Sequence, residues 1–269
     1  MGDVTMSPAG HASARAETAR APVTVVIAAR DAGRHIADCV ASVVGWASEV
    51  LVVENDSSDD TVARARAAGA VVFSNPFRSI GAQRNVAIGR AANSWIFVLD
   101  HDERCTPELA REIAATVLAP AADAFKIRRR NYFLGREIRH GGWERDRPIR
   151  LFRSSLRYDE RPVHEHVITT APPIELRERM LHYSYESLSQ YFEKLERYSR
   201  WWADQQYARG RRAGPMTLVI HTCSRFVTMY IIKRGFVDGA HGLVLAVLTS
   251  IGVAAKYARL WALGRGIPR

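Results

Sequence analysis

The 269-residue chain is poor in cysteine and acidic side chains, and it lacks the glycine signatures of the common nucleotide folds. Its three cysteines, Cys39, Cys105 and Cys223, are odd in number and show no paired metal spacing. That excludes a disulfide framework and a zinc ribbon, and it fits a reduced, cytoplasmic setting. No Gly-x-Gly-x-x-Gly follows the first apolar run, which argues against a dinucleotide oxidoreductase. No Gly-x-x-x-x-Gly-Lys-Ser/Thr occurs either, which argues against a P-loop ATPase. Zinc-finger spacing and alternating aromatic–basic strands are missing too, so nucleic acid is not the expected partner. Residues 1–21 are small and polar, without the apolar segment of a secretory signal, and read as a disordered tail.

What remains is apolar and basic. Hydrophobic residues make up 47 %, enough for a sizeable core in one large α/β domain. Lys and Arg number 38 against 28 Asp and Glu, a formal net charge of +10 that calls for anionic partners such as nucleotide phosphates, acidic glycolipids or a membrane surface.

The first half of the chain alternates short β-branched runs with helical segments. Strands are predicted at 23–29, 49–53, 70–73 and 95–99, and helices at 33–44, 60–68, 80–92 and from Pro107 to about residue 118. Such alternation predicts a Rossmann-like, mostly parallel sheet covered on both faces. A further strand at 124–127 leads into Arg- and Gly-containing stretches that read as antiparallel additions. A helix at 188–207 and two apolar segments, 217–232 and 239–255, complete the chain. The last segment has no Asp, Glu, Lys or Arg but falls short of the roughly 20-residue span of a membrane-crossing helix. Three placements stay open for these apolar helices: on an anionic membrane surface, in a core or oligomer contact, or as a spanning hairpin. The expected division is a tail at 1–21, a catalytic domain at 22–210 and a helical, membrane-associated extension at 211–269.

Chemistry concentrates past the carboxyl ends of predicted strands, where open α/β sheets bind ligands. Asp100 and Asp102 in DHDE can offer two oxygen ligands to Mg²⁺ or Mn²⁺, which would neutralise charge on a departing nucleoside diphosphate. The bland alternative is an acidic loop preceding a helix. In ENDSSDDT, Asp56 is the candidate for base or ribose, while Asp59 and Asp60 read as helix caps. Gln83 and Arg84, with Asn85, open a helix where they can meet a nucleotide or simply be solvated. In GGWERD, Trp143 suits either a sugar face or the core. Asp146, Glu144 and Glu165 are candidates for the base that deprotonates an acceptor hydroxyl. His164 and His166 flank Glu165 and can complete the metal site or be structural, as can His182.

Taken together, these segments resemble glycosyltransferase family 2, with its GT-A fold, and more narrowly the bacterial lipopolysaccharide core β-glucosyltransferase group. The resemblance is carried by VVIAARDAGRHI, VVENDSSDDT, GAQRNVAIGRAANSWIFVLDHDE, RNYFLGREIRHGGWERDRPIRLFR and RPVHEHV, then by LHYSYESLSQYFEKLERYS and IIKRGFVDGAHG. It implies a nucleotide-sugar donor, usually UDP-linked, inversion to a β-linkage, and a divalent metal. It implies nucleotide contacts from Ala29, Arg30, Asp56 and Asp100, and metal binding by Asp102 with Asp100 beside it. Arg145, with Arg147, Arg150 and Arg153, would hold the diphosphate or an acidic acceptor. The implied acceptor is a glycolipid or lipopolysaccharide core. Polyprenyl phosphate or an exopolysaccharide or capsule intermediate is the alternative within the class, and a sugar- or lipid-binding scaffold the alternative outside it. The implied location is the cytoplasmic face of the inner membrane.

Overall fold

The computed structural model describes residues 20–159, 161 and 165–267. Of the expected tail at 1–21, residues 1–19 lie outside the described residues, as does His164, whereas Ala21 already opens the first strand. Four strands form the parallel half of the sheet: β1 (Ala21–Ala29), β2 (Ala47–Glu54), β3 (Val71–Ser74) and β4 (Trp95–Asp100). Their order is β3-β2-β1-β4, with Val26 facing Leu51 on one side and Val98 on the other. Continuous Val/Ile/Leu runs belong here because both faces of a parallel sheet are covered.

Helices α1 (Ile36–Val44), α2 (Thr61–Ala67), α3 (Ile80–Ile88) and α4 (Pro107–Leu118) make the crossovers. Ser79 caps α3 by accepting from the Ala82 amide, and Thr106 caps α4 by accepting from Leu109, with Pro107 in the first turn. Alternate residues of β1 point to opposite layers. Val25 and Ile27 meet α1 and α4 through Val40 and Leu109, while Val26 meets Ala87 and Ile88 of α3.

Beyond β4 the sheet becomes mixed. It continues through β5 (Glu103–Arg104), β6 (Ala124–Phe133), β7 (Arg136–Ile138), β8 (Ile149–Arg153) and β9 (Ile174–Tyr185). β8 is antiparallel to both β4 and β6, β9 is parallel to β6, and β5 closes the far edge against β9. The strand predicted at 124–127 therefore runs six residues further. Its arginines hid it: Arg129 points into a buried ion network instead of towards water.

A layer of helices packs on this half: α5 (Leu188–Ala208), α6 (Pro215–Phe226) and α7 (Gly239–Gly264), with one π turn at Val227–Ile232 between the last two. α7 extends nine residues past the predicted segment because KYARLWAL, though charged, is made of good helix formers. The layer is seated by a third apolar cluster in which Phe133 and Ile138 of the sheet meet Tyr191, Met229 and Leu245. Asp238, just before α7, takes the backbone amides of Arg139 and His140 at 3.2 and 2.9 Å. The Gly-Gly-Trp segment belongs to the same joint. Gly142 has φ +95°, and a Cβ there would come within 2.7 Å of Lys233 Nζ.

Phe133 is fully buried and meets Trp143, Tyr185 and Tyr191 edge-on. Phe133→Ala should cost about 3–5 kcal/mol in urea denaturation. Ile231→Ser, at an exposed position, should change stability by less than about 0.5 kcal/mol.

Candidate functional site

The end of β4 delivers four residues into the crevice between the two halves of the sheet. Asp100 ends the strand and Glu103 begins β5, so the chain doubles back over three residues. Glu103 is fully buried, and its Oε2 accepts from the Asp100 amide at 2.8 Å. Two carboxylates so close would repel each other strongly. Three arginines from three different elements hold them. Arg84 of α3 and Arg150 of β8 each make a short contact to Asp100, and Arg129 of β6 reaches it at 3.1 Å. Glu103 receives Arg129 Nε at 2.6 Å and Arg150 at 2.9 Å. Burial alone would raise the Asp100 carboxyl, but the guanidiniums of Arg150, Arg84 and Arg129 outweigh it and hold it well below the usual range.

The same arginines recruit the two outlying carboxylates. Arg84 binds Glu165 at 2.6 Å, and Arg129 binds Asp146 at 3.0 Å. Both predicted bases thus stand one guanidinium away from Asp100. Glu144 turns elsewhere, accepting from the Gly142 amide at 2.8 Å and pairing with Arg145 at 3.5 Å. Arg145 itself is largely exposed.

Asp102 differs from Asp100 in having no arginine partner among the described residues. Its oxygens lie 3.8 Å from His182 Nε2 and 3.7 Å from Lys194 Nζ, outside hydrogen-bond range. His182 is oriented from behind. The Asn131 amide nitrogen donates to the Trp143 carbonyl at 2.9 Å, so its oxygen faces His182 Nδ1 at 2.6 Å. The Nδ1–H donates there, and the neutral ring keeps its lone pair on Nε2, towards Asp102. Burial is the main cause that lowers the His182 pKa and keeps the ring neutral.

Two loops line the other side. Ala29 is buried at the end of β1, whereas Arg30 and Asp56 are exposed. Asp31 and Asp56 both adopt left-handed backbone, with φ of 45° and 49°, at the ends of β1 and β2. Such conformations are uncommon outside glycine, and Asp tolerates them better than most residues. The loops are laced together: Ser58 donates to Asp31, Gly33 donates to Asp59, and the Ala32 amide donates to Thr61 Oγ1. Asp59 also accepts from the Thr61 amide, as expected of a cap. Asp60 instead pairs its carboxylate with Arg64.

Gln83, Arg84 and Asn85 all reach inward. Gln83 donates to the Asn75 and Pro76 carbonyls, which makes it an anchor for the turn after β3 instead of a group facing open space. Asn85 exchanges two hydrogen bonds of 2.9 Å with the Tyr158 backbone, seating the segment that carries Glu165. Trp143 packs against Phe133 and Tyr185. His166 is exposed, and its amide donates to Asp159 at 3.2 Å.

Among the described residues, no three His, Cys, Asp or Glu side chains converge as a metal cage. Asp102 and the Nε2 of His182 do suit a hard cation that brings its remaining oxygen ligands with it, as Mg²⁺ does with diphosphate. Glu103, Arg129 and Lys194 are members of the site that motif reading passed over. The only available signal for Glu103 was its place in an acidic quartet, of which one member is solvent-free.

Glu103→Gln should destabilise the fold by about 3–5 kcal/mol in urea denaturation, because Arg129 and Arg150 lose a buried counter-charge.

The chain is similar to known glycosyltransferases. The model of the family described as glycosyl transferase family 2 matches residues 24–172, more than half of the chain. The lipopolysaccharide core biosynthesis glycosyltransferase LpsC of Rhizobium meliloti (strain 1021) is 26 % identical over 254 residues, covering 88 % of this chain and 93 % of the relative. An uncharacterized glycosyltransferase of Rickettsia prowazekii (strain Madrid E) is 25 % identical over 251 residues, covering 88 % and 86 %. Among solved structures, glucosyl-3-phosphoglycerate synthase from Mycobacterium tuberculosis, in complex with Mg²⁺ and uridine diphosphate, is similar at 22 % identity with a TM-score of 0.37. That alignment covers 41 % of this chain and 44 % of the synthase, less than half of either. The matched family region contains both strand-end loops, Asp100, Asp102, all three arginines and Glu165. This chain belongs to glycosyl transferase family 2.

Proposed function

We propose that the protein is an inverting, metal-dependent hexosyltransferase that moves glucose or a related hexose from a UDP-sugar to a glycolipid or lipopolysaccharide-core-like acceptor. The observation that carries this reading is the asymmetry of the Asp-x-Asp pair. Asp100 is held by three arginines, while Asp102 has no arginine partner and stands opposite the lone pair of His182.

In this reading Asp102 and His182 hold Mg²⁺ or Mn²⁺, and Asp100 keeps Arg84, Arg129 and Arg150 in register around the diphosphate. The bound ion supplies charge neutralisation for the departing nucleoside diphosphate. Asp56 and the backbone at Ala29 and Arg30 face the nucleotide, since both loops open at the carboxyl end of the sheet. Lys194 adds a positive charge beside Asp102. Glu165 takes the proton from the acceptor hydroxyl as that oxygen attacks the anomeric carbon. It is favoured over Asp146 because Asn85 fixes the Tyr158 backbone, which pairs with Val167 just beyond it, and its side chain is the less exposed of the two, 12 % against 38 %. Asp146 then serves to position Arg129. The likeness to LpsC across nearly its whole length supports a lipopolysaccharide-type acceptor.

The test is turnover of a panel of UDP-, GDP-, ADP- and dTDP-sugars with Mn²⁺, with extracted glycolipid as acceptor. A UDP-hexose should be consumed with inversion, and Asp102→Ala should abolish both turnover and donor binding. Glu165→Gln should keep donor binding and lower kcat by about 10²–10⁴-fold. Undiminished donor binding in Asp102→Ala would overturn the metal assignment. A larger kcat loss in Asp146→Asn than in Glu165→Gln would move the base to Asp146.

A further inference from the structure

The positive charge of the chain is concentrated in its last quarter. Residues 205–269 contain ten Lys and Arg and a single acid, Asp238, against a net charge of +10 for the whole chain. Asp238 is buried beneath the Arg139 and His140 amides, so it offsets nothing at the surface.

The same segment bares apolar side chains to solvent in helical stripes. Met216 and Ile220 form one edge along α6, continued by Val227 at the start of the π turn, and Leu243, Val247 and Ile251 form another along α7. Their spacing of four or seven residues places each set on one side of the helical path. The helical region at Gly235–Gly264 is long and apolar enough to cross a membrane by length and composition. Its inner face, however, carries Leu245, Ala246 and Leu248 into the cluster with Phe133 and Tyr191. Only the outer edge is left for lipid, which is the arrangement of a helix lying on a bilayer.

Between α5, α6 and α7 lie two adjoining hollows of about 230 and 360 Å³. Both are lined by Arg225 and Lys256, and no carboxylate lines either one. Thr249, Ser224 and Thr228 add hydroxyl donors, and Tyr198 and Trp202 form aromatic walls. Lys256 sits 5.9 Å from the Trp202 ring, and burial with Arg225 nearby lowers its pKa. Two neighbouring cations in hollows that no carboxylate among the described residues lines, with hydroxyl donors beside them, match an oxyanion.

We propose that this crevice receives the phosphate of an anionic membrane lipid while the outer edges of α6 and α7 enter the acyl layer. Charge and apolar surface then act together, because two weak signals are needed for stable anchoring. Tyr185 lines the crevice, and its ring lies 5.0 Å from Lys194 Nζ, which in turn is 3.7 Å from Asp102. Docking in this manner sets the Asp102 end of the sheet beside the bilayer surface. The inference stands on the helical layer alone and is independent of the transferase chemistry.

Co-sedimentation of the full chain with phosphatidylcholine vesicles, with and without phosphatidylglycerol, tests it. Wild type should bind the anionic vesicles, and Arg225→Gln with Lys256→Gln should weaken that binding by about thirtyfold. Ile220→Ser with Val227→Ser, both at exposed positions, should weaken it by at least about tenfold without lowering the thermal midpoint. Both double variants should bind UDP with Mn²⁺ as wild type does, which separates docking from the donor site. Equal binding to neutral and anionic vesicles, no binding to either, or wild-type binding by the Arg225/Lys256 variant would overturn the proposal.

Discussion

The carboxylates of Asp100 and Glu103 share one small, partly dry volume, and their mutual repulsion is balanced by Arg84, Arg129 and Arg150. Each arginine comes from a different element: a crossover helix, the long mixed strand and the strand that joins the two halves of the sheet. Removing any one would leave a charge stranded where desolvation is expensive. The network therefore ties the parallel half to the mixed half at the point where the sheet changes direction. Net apolar packing holds each half, but this ion cluster fixes how their edges meet.

Function follows from the same arrangement. With Asp100 committed to arginines, Asp102 is the member of the motif with no arginine partner among the described residues, and the Asn131–His182 pair aims a neutral imidazole at it. Under the proposed function, the guanidiniums that restrain Asp100 are also the positive floor for a diphosphate. Arg84 and Arg129 extend to Glu165 and Asp146, so the candidate bases are coupled to the donor site through charge. On the other side, the interlocked loops after β1 and β2 store left-handed backbone at Asp31 and Asp56, a feature that tends to gather at ligand sites.

Much of the fold was legible because the parallel strands read as continuous apolar runs alternating with helical segments, one of them opened by Pro107. Asp100, Asp102 and Asp56 were legible for a related reason, since strand ends in such sheets are where ligands bind. The arginine partners were harder to read. Arg150 was expected at a diphosphate or acidic acceptor and Arg129 was given no role, and only the sheet order brings both beside β4 as partners of Asp100. Gln83 reads as a nucleotide ligand by position, yet its amide is occupied by Asn75 and Pro76. His182 gains its orientation from Asn131, fifty-one positions away, a relation no local pattern carries. The extra length of α7 was hidden by Lys256 and Arg259, whose charges broke an apolar run without breaking the helix.

The central claim is that the metal binds together with the diphosphate at Asp102, because the arginines have already claimed Asp100. Titration of Mn²⁺ followed by its electron paramagnetic resonance, with and without UDP, tests this most directly. The account predicts weak Mn²⁺ binding to the protein alone and strong, one-to-one binding once UDP is present. Equally tight Mn²⁺ binding without UDP would contradict it, since that requires a protein cage in which Asp100 is a ligand instead of an anchor for three arginines.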